Sequence, residues 1–386
     1  MKVLMLLNSL APGGTETSTV ALAEALQELG VDTVIVTMKQ AEHELVSVAQ
    51  RAGISVVRLP NGSPLVQFRA LRRLIRAQRP DVVHTALFEA DQLGRVAAVG
   101  TGVPVISSFV NTPYDAVRLR DPNVRPWKLR TVQAIDSITG HLLVDRFHAV
   151  SEGVRTSNAR ALRLKSGRVA VAERGRDTTA LGVRSAERRA AVRASLDLSL
   201  DAPVVLSLGR QEHQKAQVDL LAAAAFMLPR LPDLVVLLAG KDGSASPEIH
   251  RAVDADPGLQ RSVHMLGHRS DVGDLLAAAD VLAISSHFEG TAGVALEAMA
   301  VGTPIVTTRL QGLVGVLGDE RNAVVVDTAH PASLAAGLER VLTDPALSDR
   351  LAHQAKLDFL ERFTLPVAAR RMYDLYESVA RRSRAA

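Results

Sequence analysis

Along this chain, short runs of almost unbroken apolar residues alternate with longer stretches in which apolar positions recur every three or four residues. VLMLL at 3–7, TVIVT at 33–37, SVVRL at 55–59, VVH at 82–84 and VPVIS at 103–107 are of the first kind; 16–29, 42–52, 65–77 and 90–99 are of the second. Continuous runs predict strands buried on both faces, and a 3.6-residue period predicts amphipathic helices. The first half therefore reads as strand–helix repeats building a parallel sheet. FHAV at 147–150 closes the series as its last strand, Ser151 is the N-cap of the helix that follows, and 169–177 reads as a linker turn. After an Arg-rich, apolar-poor segment at 184–193 the pattern restarts, with strands at 204–208, 234–239, 263–266, 281–285 and 324–326. A chain of 386 residues suits two cores of similar size.

In sheets of this kind ligands sit beyond the carboxyl ends of the strands. In the first half that rule selects Gly13 and Gly14, His84 and Thr85, and the loop 108–115. The turn Pro12-Gly13-Gly14 leads into a helix, an order that brings backbone N–H groups close to an anion but also serves as a plain tight turn. His84 is either a hydrogen-bonded strand-end residue or a catalyst. In the second half the strand at 204–208 ends in Gly209-Arg210, with Lys215 five residues beyond. A guanidinium and an ammonium at one strand end suit a diphosphate, the first by binding two oxygens and the second as a point charge.

The densest chemistry lies at 285–308, SSHFEGTAGVALEAMAVGTPIVTT, which predicts a strand end, a polar loop, a helix over 292–300 and a further strand from Pro304. Glu289 stands in the loop and Glu297 in the helix. Either carboxylate alone could simply cap the helix or complement its dipole. Together, with the N–H groups of the helix start between them, they suit a ligand with phosphates at one point and sugar hydroxyls on either side.

The pattern E-x7-E, with E-G at its front, E-A-M-A at its back, G-T-P-I-V after it and G-R-x4-K upstream, resembles the signature of the retaining nucleotide-sugar-dependent glycosyltransferases of family 4. DVVHT around His84 and FHAVSEGVR at 147–155 resemble the same family. The resemblance implies an α/β GT-B fold, two doubly wound Rossmann-like domains facing each other across a cleft. Residues 1–178 would form the acceptor-side domain and 179–364 the nucleotide-sugar domain, with a final helix, about 365–386, crossing back onto the first. The implied reaction moves a sugar from a nucleoside-diphosphate sugar to an acceptor hydroxyl, with retention, without metal and without any cofactor. By the same analogy Glu297 binds the ribose, and Glu289 and the amides of Gly290, Thr291, Ala292, Gly293 and Val294 hold the donor sugar. Arg210 and Lys215 bind the diphosphate and stabilise the charge that grows on the leaving group. Gly267 and His268 border the nucleobase, Gly14 approaches the donor phosphates, and Gly13, His84 and Asn111 lie on the acceptor side. The sequence departs from the family at two places: Glu89 and Asn111 stand where many relatives carry a further histidine, and Arg174 replaces the Asn of a Pro-Asn-Gly-x-Asp turn. Alternatives are a non-catalytic sugar-nucleotide-binding subunit, a sugar-nucleotide epimerase and a peripheral membrane-binding protein that uses its Arg-rich helix.

Composition narrows the partners. There are no cysteines, which excludes disulfides and thiolate metal sites, and no convincing Asp-x-Asp metal pair. A net charge of +4 would admit nucleic acid, but aromatics are only 3% and no nucleic-acid-binding motif is present, so none is expected. No apolar run approaches the roughly 18 residues of a membrane span. The expectation is a cytoplasmic protein, at most peripheral on the inner face of the membrane. Arg69, Arg72, Arg73, Arg76 and Arg79 along the predicted helix 65–77 are either a solvated face or a contact with anionic lipid, and 118–130, with Trp127, is a second candidate for membrane or acceptor contact.

Overall fold

A computed structural model describes residues 1–11, 13–39, 44–120, 124–179 and 181–385. The chain divides into two units, Met1–Arg176 with Arg362–Ala386, and Asp177–Glu361.

The first unit is built on seven parallel strands: β1 Lys2–Leu7, β2 Asp32–Thr37, β3 Ser55–Arg58, β4 Val82–Ala86, β5 Val105–Phe109, β6 Arg146–Ala149 and β7 Val169–Val171, in the order β3-β2-β1-β4-β5-β6-β7. Side chains alternate across β1, and the two sets serve different layers. Val3, Met5 and Leu7 pack with Val20 and Ala23 of the helix Gly14–Gln27 and with Met372 and Tyr376 of the final helix Leu365–Ala385. Leu4 and Leu6 pack with Leu71, Ile75 and Ala97 of the helices Pro64–Gln78 and Phe88–Ala98. Helices on both faces explain why the strands are apolar throughout.

The second unit repeats the plan with six parallel strands: β8 Val204–Leu208, β9 Val235–Ala239, β10 Val263–Gly267, β11 Val281–Ile284, β12 Ile305–Thr308 and β13 Val324–Val326, ordered β10-β9-β8-β11-β12-β13. In both sheets the order reverses once, between β1 and β4 and between β8 and β11. Connections leave these strand pairs in opposite directions and open a crevice at their carboxyl ends, where doubly wound sheets bind ligands.

Three expectations are adjusted. The strand series of the first unit ends one strand later, because Val169 pairs with Phe147 and turns part of the presumed linker into an edge strand. The fifth strand begins at Val105, after Pro104, which has no N–H to give to a ladder. The helix expected over 42–52 is described as Glu44–Arg51; its predicted start, like Pro12 and residues 121–123 of the Trp127 segment, lies outside the described residues.

Candidate functional site

At the reversal point of the second sheet, two loops are laced together. After β8 the chain passes Gly209 and Arg210, forms the single turn His213–Lys215 and enters the helix Gln217–Met227 through Ala216, which has φ 50°. A left-handed alanine is strained, and strain of about 1–3 kcal/mol concentrates at functional loops. After β11 come Ser285 to Ala292 and then the helix Gly293–Val301. Ser285 Oγ donates to the Lys215 carbonyl at 2.8 Å, the His287 N–H to the Gln214 carbonyl at 2.9 Å, and Gln214 Nε2 to the Phe288 carbonyl at 2.9 Å. His287 Nε2 lies 2.9 Å from Asp219 Oδ2.

This lacing presses two predicted residues together. Lys215 Nζ lies 2.5 Å from Glu289 Oε1, and the same oxygen accepts from Ser286 Oγ at 2.9 Å. The Glu289 side chain is 9% exposed, so its charge is held in a low-dielectric setting by one ammonium and one hydroxyl. Arg210 differs: Gln217 Nε2 donates to its carbonyl at 3.1 Å and fixes the backbone, while the guanidinium is 67% exposed and only 4.0 Å from Glu212 at its closest. A fixed base with an open cation can close on an anionic ligand without rebuilding the loop.

The backbone supplies the rest. The Gly209 N–H donates to the Ala239 carbonyl and the Gly240 N–H to the Gly267 carbonyl at 2.7 Å, so the ends of β8, β9 and β10 stack. A side chain at Gly240 would stand 1.9 Å from the Gly209 carbonyl oxygen, so only glycine permits the approach. Gly267 and His268 are exposed beside it. Thr291 and Ala292 are buried, Gly293 and Val294 half-buried, and no side chain caps the helix start at Ala292, which leaves its first amides for a ligand. Glu297 is half-buried in that helix between buried Leu296 and Ala298.

The first unit holds the other predicted residues at the ends of its own strands. Gly13 is the N-cap of the helix Gly14–Gln27 and Gly14 is exposed at its first position. Asn111 is exposed, and its carbonyl accepts from Asn158 Nδ2 at 2.9 Å. His84 is buried within β4 and belongs to a four-member chain: Tyr376 Oη to His84 Nδ1 is 2.6 Å, His84 Nε2 to Ser108 Oγ 2.5 Å, Ser108 Oγ to His148 Nδ1 2.6 Å, and His148 Nε2 to the Ala172 carbonyl 2.8 Å. A carbonyl can only accept, so His148 carries its proton on Nε2, Ser108 donates to Nδ1, His84 donates to Ser108, and Tyr376 donates to His84. Burial holds both imidazoles neutral, His84 pushed down to about 3 and His148, also repelled by the Arg174 guanidinium, to about 4.

Sequence reasoning missed this chain, and with it Leu87, which has φ 77° and ψ 141° where β4 gives way to the helix Phe88–Ala98. That is a strained backbone at the first sheet's reversal point, matching Ala216 at the second. It also missed the buried pair of Arg95 Nη1 and Asp136 Oδ1 at 2.5 Å, beside which burial pushes Asp91 up to about 7. Among the described residues no cluster of three or more His, Asp or Glu could hold a metal ion.

Comparison with known proteins fits this arrangement. The description "Glycosyl transferases group 1" matches residues 188–358, and "Glycosyltransferase Family 4" matches 12–180. The chain is 30% identical to a D-inositol 3-phosphate glycosyltransferase of Xylanimonas cellulosilytica over 396 residues, covering 96% of this chain and 93% of that one. It is 30% identical to the protein of the same name from Nocardioides sp. over 365 residues, covering 86% and 74%. In fold it is similar to the Anabaena protein HepE, solved in complex with UDP, at a TM-score of 0.85 and 20% identity over 98% of this chain and all of that one. With family matches in both halves and two relatives similar over most of their length, the chain belongs to glycosyltransferase family 4 and transfers sugar from a nucleoside-diphosphate donor.

Proposed function

We propose that the donor is a UDP-sugar held by the strand ends of the second unit, and that the acceptor hydroxyl is presented by the first. The observation that carries this reading is the Lys215–Glu289 pair set beside exposed Arg210 and an uncapped helix start, all at the reversal point of one sheet. Arg210, Lys215 and the first amides of the helix Gly293–Val301 neutralise the diphosphate as the glycosidic bond breaks. Glu289, oriented by Lys215 and Ser286, accepts from hydroxyls of the donor sugar, and Glu297 accepts from the ribose. Gly267 and His268 border the base, Gly13 and Gly14 approach the phosphates, and His84 and Asn111 shape the acceptor side. The UDP bound to HepE points to uracil, and the names of the two sequence relatives point to a polyol acceptor. The anomeric configuration is retained and the cations replace a metal.

For the membrane, the helix Pro64–Gln78 carries exposed Arg69, Arg73 and Arg76 beside Leu65, which is 53% exposed, a mixture suited to anionic lipid at the inner face. No helix among the described residues is long and apolar enough to cross a membrane. UDP release from UDP-glucose, measured in excess EDTA, tests the catalytic reading. Turnover that persists in chelator and falls in Arg210→Ala supports it; turnover lost in EDTA and restored by Mg2+ or Mn2+ refutes the metal-free mechanism. Sedimentation with phosphatidylglycerol vesicles, abolished when Arg69, Arg73 and Arg76 are changed to Gln, tests the membrane contact.

A further inference from the structure

The helices Pro64–Gln78 and Phe88–Ala98 cover the same face of the first sheet. Arg72 ties them together, its Nη1 donating to the Ala97 carbonyl at 3.2 Å and to the Val99 carbonyl at 2.6 Å. Ahead of that tie they leave a groove of about 1030 Å³ between them. Its walls are apolar: Leu65 and Phe68 from one helix, Phe88, Leu93 and Val96 from the other, with Met38 beside them. Met38, Phe68 and Leu93 also pack on the core, so the groove is floored by the core's own surface. Leu65 is 53% exposed and Val96 44%, and contiguous apolar surface left in water in this way marks an interaction site.

Polar groups meet the groove at two places. Lys39, Asn61 and Glu89 stand just beyond the ends of β2, β3 and β4, and Lys39 Nζ pairs with Glu89 Oε2 at 2.7 Å with both side chains more than half exposed. Gln92 also lines the groove, and its Nε2 is buried without a hydrogen-bond partner among the described residues. Gln67, by contrast, has an answer for its amide in the Met38 carbonyl at 2.9 Å. A buried donor without an acceptor is unfavourable, and a ligand oxygen would relieve it. The helix Pro64–Gln78 bears arginines and no acidic residue, so this bank repels cationic ligands.

We infer that the groove holds the hydrocarbon chain of the acceptor, an amphiphile whose polyol head lies beside Lys39, Asn61 and Glu89 and one of whose oxygens accepts from Gln92 Nε2. The wall from Phe88 to Val96 runs along about 12 Å of helix, an elongated shape that suits a chain better than a compact ring system. A mostly apolar lining with a few placed polar groups is the kind of site that fixes the direction of such a molecule. The head then lies at the carboxyl ends of the strands, where doubly wound sheets present ligands. The inference rests on the transferase reading and adds to it the apolar half of the acceptor.

Calorimetric titration of the full chain with decyl maltoside below its micelle concentration, and with maltose, tests it, each with and without saturating UDP. The wild type binds decyl maltoside at least roughly 10-fold more tightly than maltose, because contact with about two methylenes is already a tenfold effect, and it does so with UDP bound. Val96→Trp, which fills the groove from an exposed position, and Leu65→Glu, which sets a charge on its bank, each weaken decyl maltoside roughly 10-fold and leave UDP affinity unchanged. Equal affinity for maltose and decyl maltoside, exclusion of decyl maltoside by UDP, or undiminished binding by both folded variants overturns the inference. Binding of lysophosphatidylglycerol without binding of decyl maltoside also overturns it, since the groove would then hold a membrane lipid and not the acceptor. A wild type that binds decyl maltoside but not UDP would overturn the donor reading and leave the apolar-chain site, so the two failures are told apart.

Discussion

Gly312 lies in the short turn Gln311–Leu313, outside every motif, yet its backbone touches the loop that bears Glu289. A methyl group there would stand 2.1 Å from the Gly290 carbonyl oxygen and 2.2 Å from that of Glu289. A close carbon–oxygen contact needs about 3.3 Å, so in Gly312→Ala one backbone must recede by roughly 1 Å. The Glu289 loop is tied to Lys215, to Ser286 and, through Thr308 Oγ1 to the Ser286 carbonyl at 2.5 Å, to the end of β12. The displacement therefore either strains these bonds or moves Glu289 off its place. Overpacking costs about 1–3 kcal/mol of stability, and a misplacement of about 1 Å at a reacting centre costs on the order of 100-fold in rate. The assay is UDP release from UDP-glucose together with chemical denaturation. Gly318→Ala is the control, because its nearest neighbour is Arg321 Cβ at 3.5 Å and its stability should stay within about 0.5 kcal/mol of wild type. Gly312→Ala with wild-type turnover would refute the placement of Glu289 in the donor site.

Lys215→Met leaves the Glu289 carboxylate buried with Ser286 alone, and should cost about 3 kcal/mol in denaturant unfolding, much of it recovered when Glu289→Gln is added; a loss below about 0.5 kcal/mol in the single variant would contradict the pairing. His148 is neutral in the fold down to about 4 but takes up a proton near 6.5 when unfolded, so its contribution is present above 6.5 and lost as pH falls toward 4. His84, neutral in the fold down to about 3, acts in the same sense, and Asp91, protonated in the fold up to about 7, in the opposite one, losing stability as pH rises from 3.8 toward 7, so the three must be separated by mutation. His148→Gln should lose about 2 kcal/mol less stability than wild type between pH 7 and pH 5; parallel profiles would sink the assignment.

The parts of this protein written in contiguous residues were legible beforehand. KVLMLL, VVLSL and VLAI read as buried strands and are strands, and Gly209, Arg210 and Lys215 stood out as a candidate anion site only through their order ahead of the E-x7-E pattern that resembles the family. What escaped depends on distance along the chain. Lys215 and Glu289 are separated by 74 residues, and His84 and Tyr376 by 292, so neither pair leaves a local trace. β7 escaped because three residues, VAV, are too few to display a period and are followed at once by charges. Gly312 escaped because a glycine in a loop looks ordinary until the backbone facing it is known.

The central claim is a nucleotide-sugar site built from Arg210, Lys215, Glu289 and Glu297. Thermal denaturation with UDP, GDP and ADP, in the wild type, Arg210→Ala and Glu297→Ala, tests it most directly. UDP alone should stabilise the wild type, by about 2.7 kcal/mol at 100 times its dissociation constant, with little or no effect on either variant. A wild type that no nucleotide stabilises, or variants stabilised as fully as the wild type, would contradict it.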